Sequence, residues 1–294
     1  MRVLITGGHG QLGREAAACW TAAGDEVTSI DRDELDVTDR SAVRATVSLL
    51  RPQVVLHAAA HTAVDVCESE PEQALNLNAV AVRWVAEACD LVGAHLIALS
   101  TDYVFDGAKA GPYHEWDLPN PQSVYGQTKR AGELEALALG AGAAVVRTSW
   151  LCGRYGSNMV ATVMRLAVER DRLQFVDDQW GHPTFCGDLA PALRRLALER
   201  ASGVWHLTNQ GATSWYGFAR AVLAAMGEDP GRVDPVATAD LRPARPAPRP
   251  ANGVLDNAVA RAAGWPVMRP FEEPLGELVS ALGNRPRSLR GRPP

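Results

Sequence analysis

Three glycines near the start of the chain limit its possible folds more than any other feature. Gly7, Gly10 and Gly13 stand three residues apart. They follow a β-branched apolar run at 2–6 and precede a helical stretch at 14–23. A glycine-rich turn between a strand and a helix lets the backbone approach a diphosphate, and the helix N-terminus adds free N–H groups and the positive end of its dipole. The order of strand, turn and helix therefore predicts a dinucleotide-binding turn.

Strands and helices alternate up to about residue 150. The predicted strands are the apolar runs at 2–6, 26–30, 54–60, 94–99 and 143–147. Helices are predicted between them, the longest at 71–92 and 123–139. Strands that alternate with helices pair in parallel. We therefore predict an α/β fold with a Rossmann-type, doubly wound parallel sheet, whose ligands lie along the C-terminal edge of the strands.

The pattern becomes less regular after residue 150. The predicted elements are strands at 173–176 and 203–207 and helices at 156–170, 186–200, 214–226, 256–263 and 271–282. We expect residues 1–150 to form the Rossmann core. Residues 151–283 should form mainly a smaller C-terminal α/β lobe, with some segments returning to the core. The Arg/Pro/Gly-rich residues 284–294 are expected to be a disordered tail.

Composition excludes several classes of protein. The net charge of −5 argues against general nucleic-acid binding. The apolar runs are far shorter than the roughly 18 residues needed to cross a membrane. The first predicted strand begins directly after Met1, which leaves no room for a signal peptide. The five cysteines and seven histidines are dispersed, without metal-ligand spacing. These features predict a cytoplasmic protein with reduced thiols and no metal site.

Two carboxylates follow the second strand. Asp31 closes it about 20 residues after the glycines, where a dinucleotide site places the acceptor for the ribose hydroxyls, although the same residue could cap a turn. Arg32 could instead pair with a 2′-phosphate, so the choice between NADH and NADPH stays open. Asp36, which precedes Val37, could reach the adenine amine or simply cap the next helix.

Small side chains end the third strand. The alanines at 58–60 leave space for a ligand that lies across the sheet edge. His61 could contact the cofactor, but a lone loop histidine is more often merely solvated. Asn78, inside the following helix, is interpreted as a polar group that braces the backbone rather than as a catalyst.

Groups suited to reducing a carbonyl follow the fourth strand. Thr101 ends this strand, and Tyr125 and Lys129 stand four residues apart on one face of the next helix. Tyr125 could donate a proton to a carbonyl oxygen while Thr101 donates a hydrogen bond to it. Lys129 is expected to favour the phenolate and could also hold the nicotinamide ribose. Trp150, at the end of the fifth strand, could stack on a sugar or a base, or belong to the core.

A run rich in proline and arginine occupies residues 241–250. It could be an extended, solvated linker or a basic loop that closes over an anionic substrate. Its charge alone favours the linker.

Several longer motifs resemble those of a known family. They are Gly7–Gly13, Ala58-Ala59-Ala60-His61-Thr62-Ala63-Val64-Asp65, Ser100-Thr101-Asp102-Tyr103-Val104-Phe105-Asp106-Gly107, Val124-Tyr125-Gly126-Gln127-Thr128-Lys129, Arg147-Thr148-Ser149-Trp150, Asp177-Asp178-Gln179 and Pro183-Thr184. On these residues the sequence, from residue 1 to about residue 283, closely resembles the extended short-chain dehydrogenase/reductases and, within them, the dTDP-4-dehydrorhamnose reductase family. The run that begins at Ser100 is far more specific than the glycines.

The resemblance implies NADPH- or NADH-dependent reduction of the C4 ketone of dTDP-4-dehydro-L-rhamnose to dTDP-L-rhamnose, with the nucleotide sugar held by the C-terminal lobe. By motif match it makes Thr101, Tyr125 and Lys129 the catalytic group. The implied dinucleotide contacts are Gly10, Gln11, Leu12, Asp36, Val37, Ala60, His61 and Thr62. The implied substrate contacts are Asp102, Trp150 and Arg249. Because family members have an Arg-Pro segment beside the substrate, the resemblance favours Arg249 as a contact of the diphosphate.

The sequence departs from the family pattern at two points. Gly253 stands where the pattern usually has a serine. Some members bridge a dimer through a divalent metal held by glutamates; Glu15 matches one of these, but Gly187 stands where another would be. We therefore predict no metal and leave a homodimer open.

Alternative functions also stay open. One is the reduction of another dTDP-4-keto-6-deoxy sugar in a secondary-metabolite pathway, which the lobe after Trp150 would decide. A second is a non-catalytic, NADP-binding regulatory subunit, which the intact catalytic group disfavours. An epimerase or dehydratase is a third. A dehydratase of this superfamily is expected to carry an Asp-Glu pair after the catalytic threonine, and the Tyr103 that follows Asp102 disfavours it.

Overall fold

Strands and helices alternate along the first half of this computed structural model, which describes residues 1–283; the predicted tail at 284–294 lies outside the described residues. The strands are β1 (Arg2–Thr6), β2 (Glu26–Ile30), β3 (Val54–His57), β4 (His95–Thr101), β5 (Ala143–Thr148), β6 (Leu151–Cys152), β7 (Leu173–Val176), β8 (Trp180–Gly181), β9 (Thr184–Phe185), β10 (Gly203–His206), β11 (Thr213–Ser214) and β12 (Val233–Val236). The helices are α1 (Gln11–Ala22), α2 (Arg40–Leu50), α3 (Val64–Ser69), α4 (Pro71–Leu75), α5 (Ala81–Val92), α6 (Val124–Leu137), α7 (Met159–Glu169), α8 (Cys186–Glu199), α9 (Trp215–Ala225), α10 (Ala258–Ala262) and α11 (Glu272–Gly283).

Six strands form one parallel sheet in the order β2-β1-β3-β4-β5-β10. The predicted doubly wound α/β fold is confirmed. From β1 the chain first moves outward to β2 and then returns to place β3 on the other side of β1. A ligand crevice forms at the carboxyl ends of the strands where the winding direction reverses, so the sheet places it between β1 and β3.

Helices cover both faces of the sheet. On one face α1 packs against α8, where Trp20 is completely buried and its indole N–H donates to the carbonyl of Ala190 at 2.9 Å. On the other face α2, α5 and α6 bury a second apolar cluster. Because both faces are covered, the central strands consist of nearly continuous apolar runs rather than alternating ones.

A third apolar cluster lies in the C-terminal half. It joins α7, α9 and α11 to the two-stranded parallel sheet of β7 and β12. Residues 151–283 nevertheless contribute to both parts of the molecule, since β10 pairs with β5 and α8 packs on α1.

The helix predicted at 71–92 contains a π-helical turn. Pro71 begins α4, the π turn occupies Asn76–Val80, and α5 continues to Val92. Helix α6 approaches this turn closely, since a Cβ on Gly132 would lie 2.1 Å from the carbonyl oxygen of Asn78. The π turn and Gly132 together let α6 pack backbone to backbone against its neighbour.

Within residues 1–283, none of the helices has both the length and the apolar character needed to span a lipid bilayer.

Candidate active site

The glycine turn joins β1 to α1 as predicted, and two of its positions require glycine. Gly7 has φ +71°, and a Cβ on it would lie 2.6 Å from the backbone nitrogen of Ala59. A Cβ on Gly13 would lie 2.2 Å from the carbonyl oxygen of Gly7. Glycine therefore lets the turn, α1 and the end of β3 approach one another, which leaves the backbone of the turn at the edge of the crevice.

The first turn of α1 offers backbone N–H groups. Gly10 is the N-cap residue, and no side chain within residues 1–283 caps the helix. The helix then begins with Gln11, Leu12 and Gly13, at the positive end of its dipole. This uncapped N-terminus fits the diphosphate of a dinucleotide.

Asp31 is tied directly to the glycine turn. Its Oδ2 accepts a hydrogen bond from the His9 N–H at 2.7 Å, and its Oδ1 accepts one from the Arg32 N–H at 2.8 Å. Asp31 remains partly exposed and the Arg32 side chain is exposed. Both residues therefore lie beside the turn, at the end of β2.

Asp36 accepts hydrogen bonds from a neighbouring residue, and Val37 belongs to the apolar core. Asp36 Oδ1 accepts hydrogen bonds from the Thr38 hydroxyl at 2.7 Å and the Thr38 N–H at 2.9 Å, and these bonds lower the pKa of Asp36. Val37 is buried in the cluster under α2. Asp36 thus closes a turn before α2, whose N-cap is Asp39.

One amide braces the loop that contains Ala60, His61 and Thr62. Asn78 Oδ1 accepts from the His61 N–H at 2.8 Å, and its Nδ2 donates to the His61 carbonyl at 3.1 Å. The same Nδ2 donates to Thr128 Oγ1 on α6 at 3.2 Å. The predicted bracing role of Asn78 is confirmed. The solvated alternative for His61 is wrong, because its side chain is only 12% exposed and lies 3.7 Å from Glu70.

Thr101, Tyr125 and Lys129 lie together at the C-terminal end of β4, as predicted. Ser123 caps α6 by accepting from the Gly126 N–H at 3.1 Å, which places Tyr125 in the first helical turn. The Lys129 Nζ donates to the carbonyl of Leu99 at 2.7 Å. All three predicted catalytic side chains are buried.

Burial dominates the ionisation of this group. It raises the pKa of Tyr125 above its ordinary value, and the Thr101 side chain offsets part of that rise. Burial lowers the pKa of Lys129 to about 8, against the opposing effect of Glu133. The expectation that Lys129 favours the phenolate stays a prediction, since burial is the main cause of both shifts. The ammonium is bound to the Leu99 carbonyl, and Tyr125 stays protonated at neutral pH.

Asp102 is a buried carboxyl next to the catalytic threonine. Its Oδ1 accepts from the Thr101 hydroxyl at 3.0 Å. Burial raises its pKa to about 7, although the Thr101 hydrogen bond acts in the opposite direction. Asp102 therefore changes charge near neutral pH.

A narrow cavity of about 10 Å³, large enough for about one water, lies beside Asp102. Its lining residues are Asp102, Tyr103, Trp150, Gln179, Trp180, Trp215, Arg249 and Pro250. The cavity unites Asp102, Trp150 and Arg249, three of the four predicted substrate contacts, from sequence positions almost 150 residues apart. The fourth, Thr101, is not among the lining residues but donates a hydrogen bond to Asp102. The predicted cofactor contacts Asp31, Arg32 and Asp36 are not among the residues that line this cavity.

Trp150 is held in an uncommon backbone conformation. It has φ +46°, and its indole stacks on that of Trp215 with ring centroids 3.5 Å apart and planes 10° apart. A Cβ on Gly181 would lie 2.7 Å from the Trp150 ring, so glycine makes room for the indole. Strain of this kind concentrates at functional sites. Sequence reasoning missed Trp215 because it begins α9 with no local motif around it.

The run at 241–250 is not simply a solvated linker. Arg249 donates two parallel hydrogen bonds to the carboxylate of Asp65, at 2.5 and 2.6 Å, and its side chain is only 10% exposed. Ala247, buried two residues earlier, donates its N–H to the same carboxylate at 3.1 Å. The linker interpretation is wrong for this end of the run, because a bidentate ion pair anchors it over the cavity. Arg245 is close enough to affect the pKa of Asp65.

Glu15 and Gly187, which stand at two of the family's metal-bridging glutamate positions, are neighbours in this structure. A Cβ on Gly187 would lie 3.6 Å from Glu15 Oε1. Glu15 supplies the only carboxylate of this pair of positions. Within residues 1–283, no group of three or more His, Cys, Asp or Glu side chains is arranged to hold a metal ion.

Comparisons with known proteins show what the whole chain is similar to. The family described as "RmlD substrate binding domain" matches residues 1–284. A dTDP-4-dehydrorhamnose reductase of Streptomyces griseus is 44% identical over 99% of this chain and 96% of its own length. A probable dTDP-4,6-dihydroxy-2-methyloxan-3-one 4-ketoreductase of Streptomyces antibioticus is 42% identical over 99% of both chains.

A solved structure is also closely similar. The dTDP-4-dehydrorhamnose reductase of Bacillus anthracis, solved in complex with NADP, superposes with a TM-score of 0.91 at 37% identity. The match covers 94% of this chain and 98% of that one.

Proposed function

The chain belongs to the RmlD family, and from this premise we propose that it is a dTDP-4-dehydrorhamnose reductase that reduces the C4 ketone of dTDP-4-dehydro-L-rhamnose to dTDP-L-rhamnose. It is an NAD(P)H-dependent oxidoreductase. The observation that carries the proposal is the meeting of Thr101, Tyr125 and Lys129 beside Asp102, on the same sheet edge as the glycine turn.

The residues present fit a nicotinamide dinucleotide. The cradle at Gly7 and Gly13 has no room for a Cβ, and the uncapped start of α1 provides N–H groups for the diphosphate. We assign Asp31 and Arg32 to the adenosine ribose and its 2′-substituent, and the loop at 60–62 to the rest of the cofactor. NADPH or NADH supplies the hydride that the ketone carbon receives.

Tyr125 is the proton donor in this proposal. Its raised pKa keeps the phenol protonated at neutral pH, ready to protonate the ketone oxygen as negative charge develops there. The Thr101 hydroxyl donates to Asp102 in this structure, so it must exchange that partner in order to donate to the ketone oxygen. Lys129 is buried and donates a hydrogen bond to the Leu99 carbonyl, and we assign its ammonium to a ribose hydroxyl of the bound cofactor.

The nucleotide sugar is assigned to the surface at the mouth of the narrow cavity, whose lining residues come from both halves of residues 1–283 and which itself has room for about one water. Trp150 and Asp102 are placed at the sugar. Arg249, with its neighbour Arg245, is placed at the diphosphate, since two guanidinium groups face one carboxylate at Asp65. We further propose that residues 1–150 bind the dinucleotide, that residues 151–283 mainly bind the nucleotide sugar, that the protein acts in the cytoplasm and that it can form a homodimer.

A second candidate substrate is another dTDP-4-keto sugar. A relative that is 42% identical over 99% of both chains is named as a ketoreductase of a different dTDP sugar, so overall similarity does not select the sugar. The choice depends on Trp150, Trp180 and the other cavity residues that the C-terminal half supplies.

The decisive assay follows the loss of NADPH absorbance in the presence of dTDP-4-dehydro-L-rhamnose. We expect stoichiometric oxidation and formation of dTDP-L-rhamnose. Turnover of a different dTDP-4-keto sugar, with none of this one, would transfer the assignment to the second candidate. The absence of turnover with every such sugar would overturn the reductase proposal.

A further inference from the structure

Three side chains of α6 form a single stripe along the end of β4. Tyr125, Lys129 and Glu133 are spaced four residues apart, so they lie one above another on one helix face. The first two are the proposed proton donor and its neighbouring cation. The third has no part in the reaction as described so far, yet it is one of the most buried charged groups within residues 1–283, at 2% exposure.

The stripe contacts consecutive residues of β4. The Lys129 Nζ donates to the Leu99 carbonyl at 2.7 Å. Glu133 Oε1 accepts from the Ser100 hydroxyl at 2.6 Å. A side-chain hydrogen bond with Thr101 lowers the pKa of Tyr125, against the effect of burial. Glu133 therefore fastens the catalytic helix to the residue immediately before the catalytic threonine.

Arg147 on β5 holds the Glu133 carboxylate in its ionised form. Its Nε donates to Oε1 at 2.7 Å and its Nη2 donates to Oε2 at 2.8 Å, while Arg130 donates to Oε2 at 2.7 Å. Burial opposes ionisation, but the hydrogen bonds from Arg147 and Ser100 outweigh it, and the pKa of Glu133 is lowered. With Ser100, four hydrogen bonds fix this carboxylate in position and charge.

Within residues 1–283, Glu133 and His57 interact electrostatically with Lys129. Glu133 on its own helix acts to raise the pKa of Lys129, against burial. On β3, His57 faces it, but burial lowers the pKa of His57 to about 3, so the imidazole is neutral at working pH. Arg147 lies behind Glu133, bound to it. Glu133 is thus the negative charge that supports the Lys129 ammonium.

We propose that Glu133 is a positioning residue of this active site, which locks α6 against Ser100 and maintains the positive charge of Lys129. The proposal rests on the proposed function for its link to catalysis. The effect of Glu133 on the charge of Lys129 can be measured without substrate.

The chain offers an unusually clean measurement, because Lys109 and Lys129 are its only lysines. Protein labelled with lysine carrying ¹³C at Cε gives two NMR signals, which a Lys109→Arg variant assigns. Titration of each signal gives its own pKa. We expect Lys129 to titrate near pH 8 in the parent chain. In Glu133→Gln it should titrate roughly one pH unit lower, while Lys109 is unchanged.

Glu133→Gln leaves Arg147 buried without its carboxylate and can fail to fold. The double variant Glu133→Gln/Arg147→Met replaces the buried pair by neutral groups, which proteins tolerate better. It should show a smaller fall in the Lys129 pKa, because the Arg147 cation is removed together with the carboxylate. Ser100→Ala keeps the ion pair, so it should leave the Lys129 pKa unchanged and lower kcat through the loosened helix. Glu87→Gln, at a partly exposed carboxylate on α5 that pairs with Arg40 and Arg83, controls for the change in net charge.

The pH–rate profile supplies the link to catalysis. The alkaline limit of kcat/KM, which reports the free enzyme, should move to lower pH in Glu133→Gln by the same amount as the Lys129 pKa. Unchanged titration of Lys129 in both Glu133 variants would overturn the proposal. Because the NMR titration needs neither sugar nor cofactor, that result is independent of whether the dTDP sugar proves to be the substrate.

Discussion

Gly253 lies directly against the carboxyl of Asp102: a Cβ built on it would be 2.4 Å from Oδ2. The family pattern usually has serine at position 253, and the close contact with Asp102 leaves no room there for a side chain. The space that a serine side chain would fill is occupied here by the carboxyl. That close packing contributes to the burial that raises the pKa of Asp102 to about 7.

The Gly253→Ser variant tests this packing. The Asp102 carboxyl is the far end of a flexible side chain, so it should rotate away and accept a hydrogen bond from the new hydroxyl. Both changes favour the carboxylate, and the pKa of Asp102 should fall towards its ordinary value. NMR titration of the aspartate side chains would measure it. An Asp102 that still titrates near pH 7 would show that Gly253 does not set its environment.

Asp102→Asn should change how stability depends on pH. The pKa of Asp102 is raised from 3.8 to about 7, so the folded chain binds this proton more tightly than the unfolded chain. The bound proton stabilises the folded chain by roughly 4 kcal/mol at most. This stabilisation is complete below about pH 4 and is lost as the pH rises through about 7. Urea unfolding of both proteins between these limits should show the parent losing stability relative to the variant. Parallel curves would contradict the assignment.

Tyr125→Phe should lose most of kcat while keeping cofactor affinity. The variant removes the proton donor but preserves the ring, which packs edge-to-face on Tyr103 with centroids 5.4 Å apart. A fall of about 10²–10⁴-fold is expected for loss of a general acid. NADPH binding, followed by fluorescence, serves as the control. Turnover close to that of the parent would mean that the proton comes from another group.

Cofactor preference should depend on two adjacent residues. With both Asp31 and Arg32 beside the glycine turn, kcat/KM for NADH and NADPH should differ only modestly. Arg32→Ala should lower kcat/KM for NADPH by about 10- to 150-fold, since one charged contact is worth about 1.5–3 kcal/mol, and should spare NADH. Arg44→Ala, an exposed arginine on α2, is the matched control. Strict use of one cofactor by the parent would show that only one of the two residues acts.

Arg249→Lys should raise KM for the nucleotide sugar by about tenfold and leave KM for NADPH unchanged. Lysine keeps the charge but cannot make the bidentate contact that arginine makes with a diphosphate or with Asp65. Arg242→Ala, in the same run but exposed and bound to backbone carbonyls, is the control. Equal KM values for sugar in the parent and Arg249→Lys would remove Arg249 from the diphosphate site.

Much of the core and half of the site could be predicted from the sequence, because the sequence patterns that predict them each lie within a short segment of the chain. Short segments contain the order of β1, the glycine turn and α1, and they contain the ends of the strands. The four-residue spacing of Tyr125 and Lys129 also lies within one short segment. A parallel sheet then brings those strand ends to one edge, so local patterns were enough to place Thr101 beside Tyr125.

The tertiary structure alone decided the rest, because it depends on contacts between distant segments. Asp65 and Arg249 are separated by 184 residues, and the ion pair between them turned an apparent linker into a wall of the cavity. The Trp150–Trp215 stack and the approach of Gly253 to Asp102 likewise have no local pattern. Burial, which raises the pKa of Tyr125 and lowers that of Lys129, is a property of the packed protein, and no spacing of residues along the chain could reveal it.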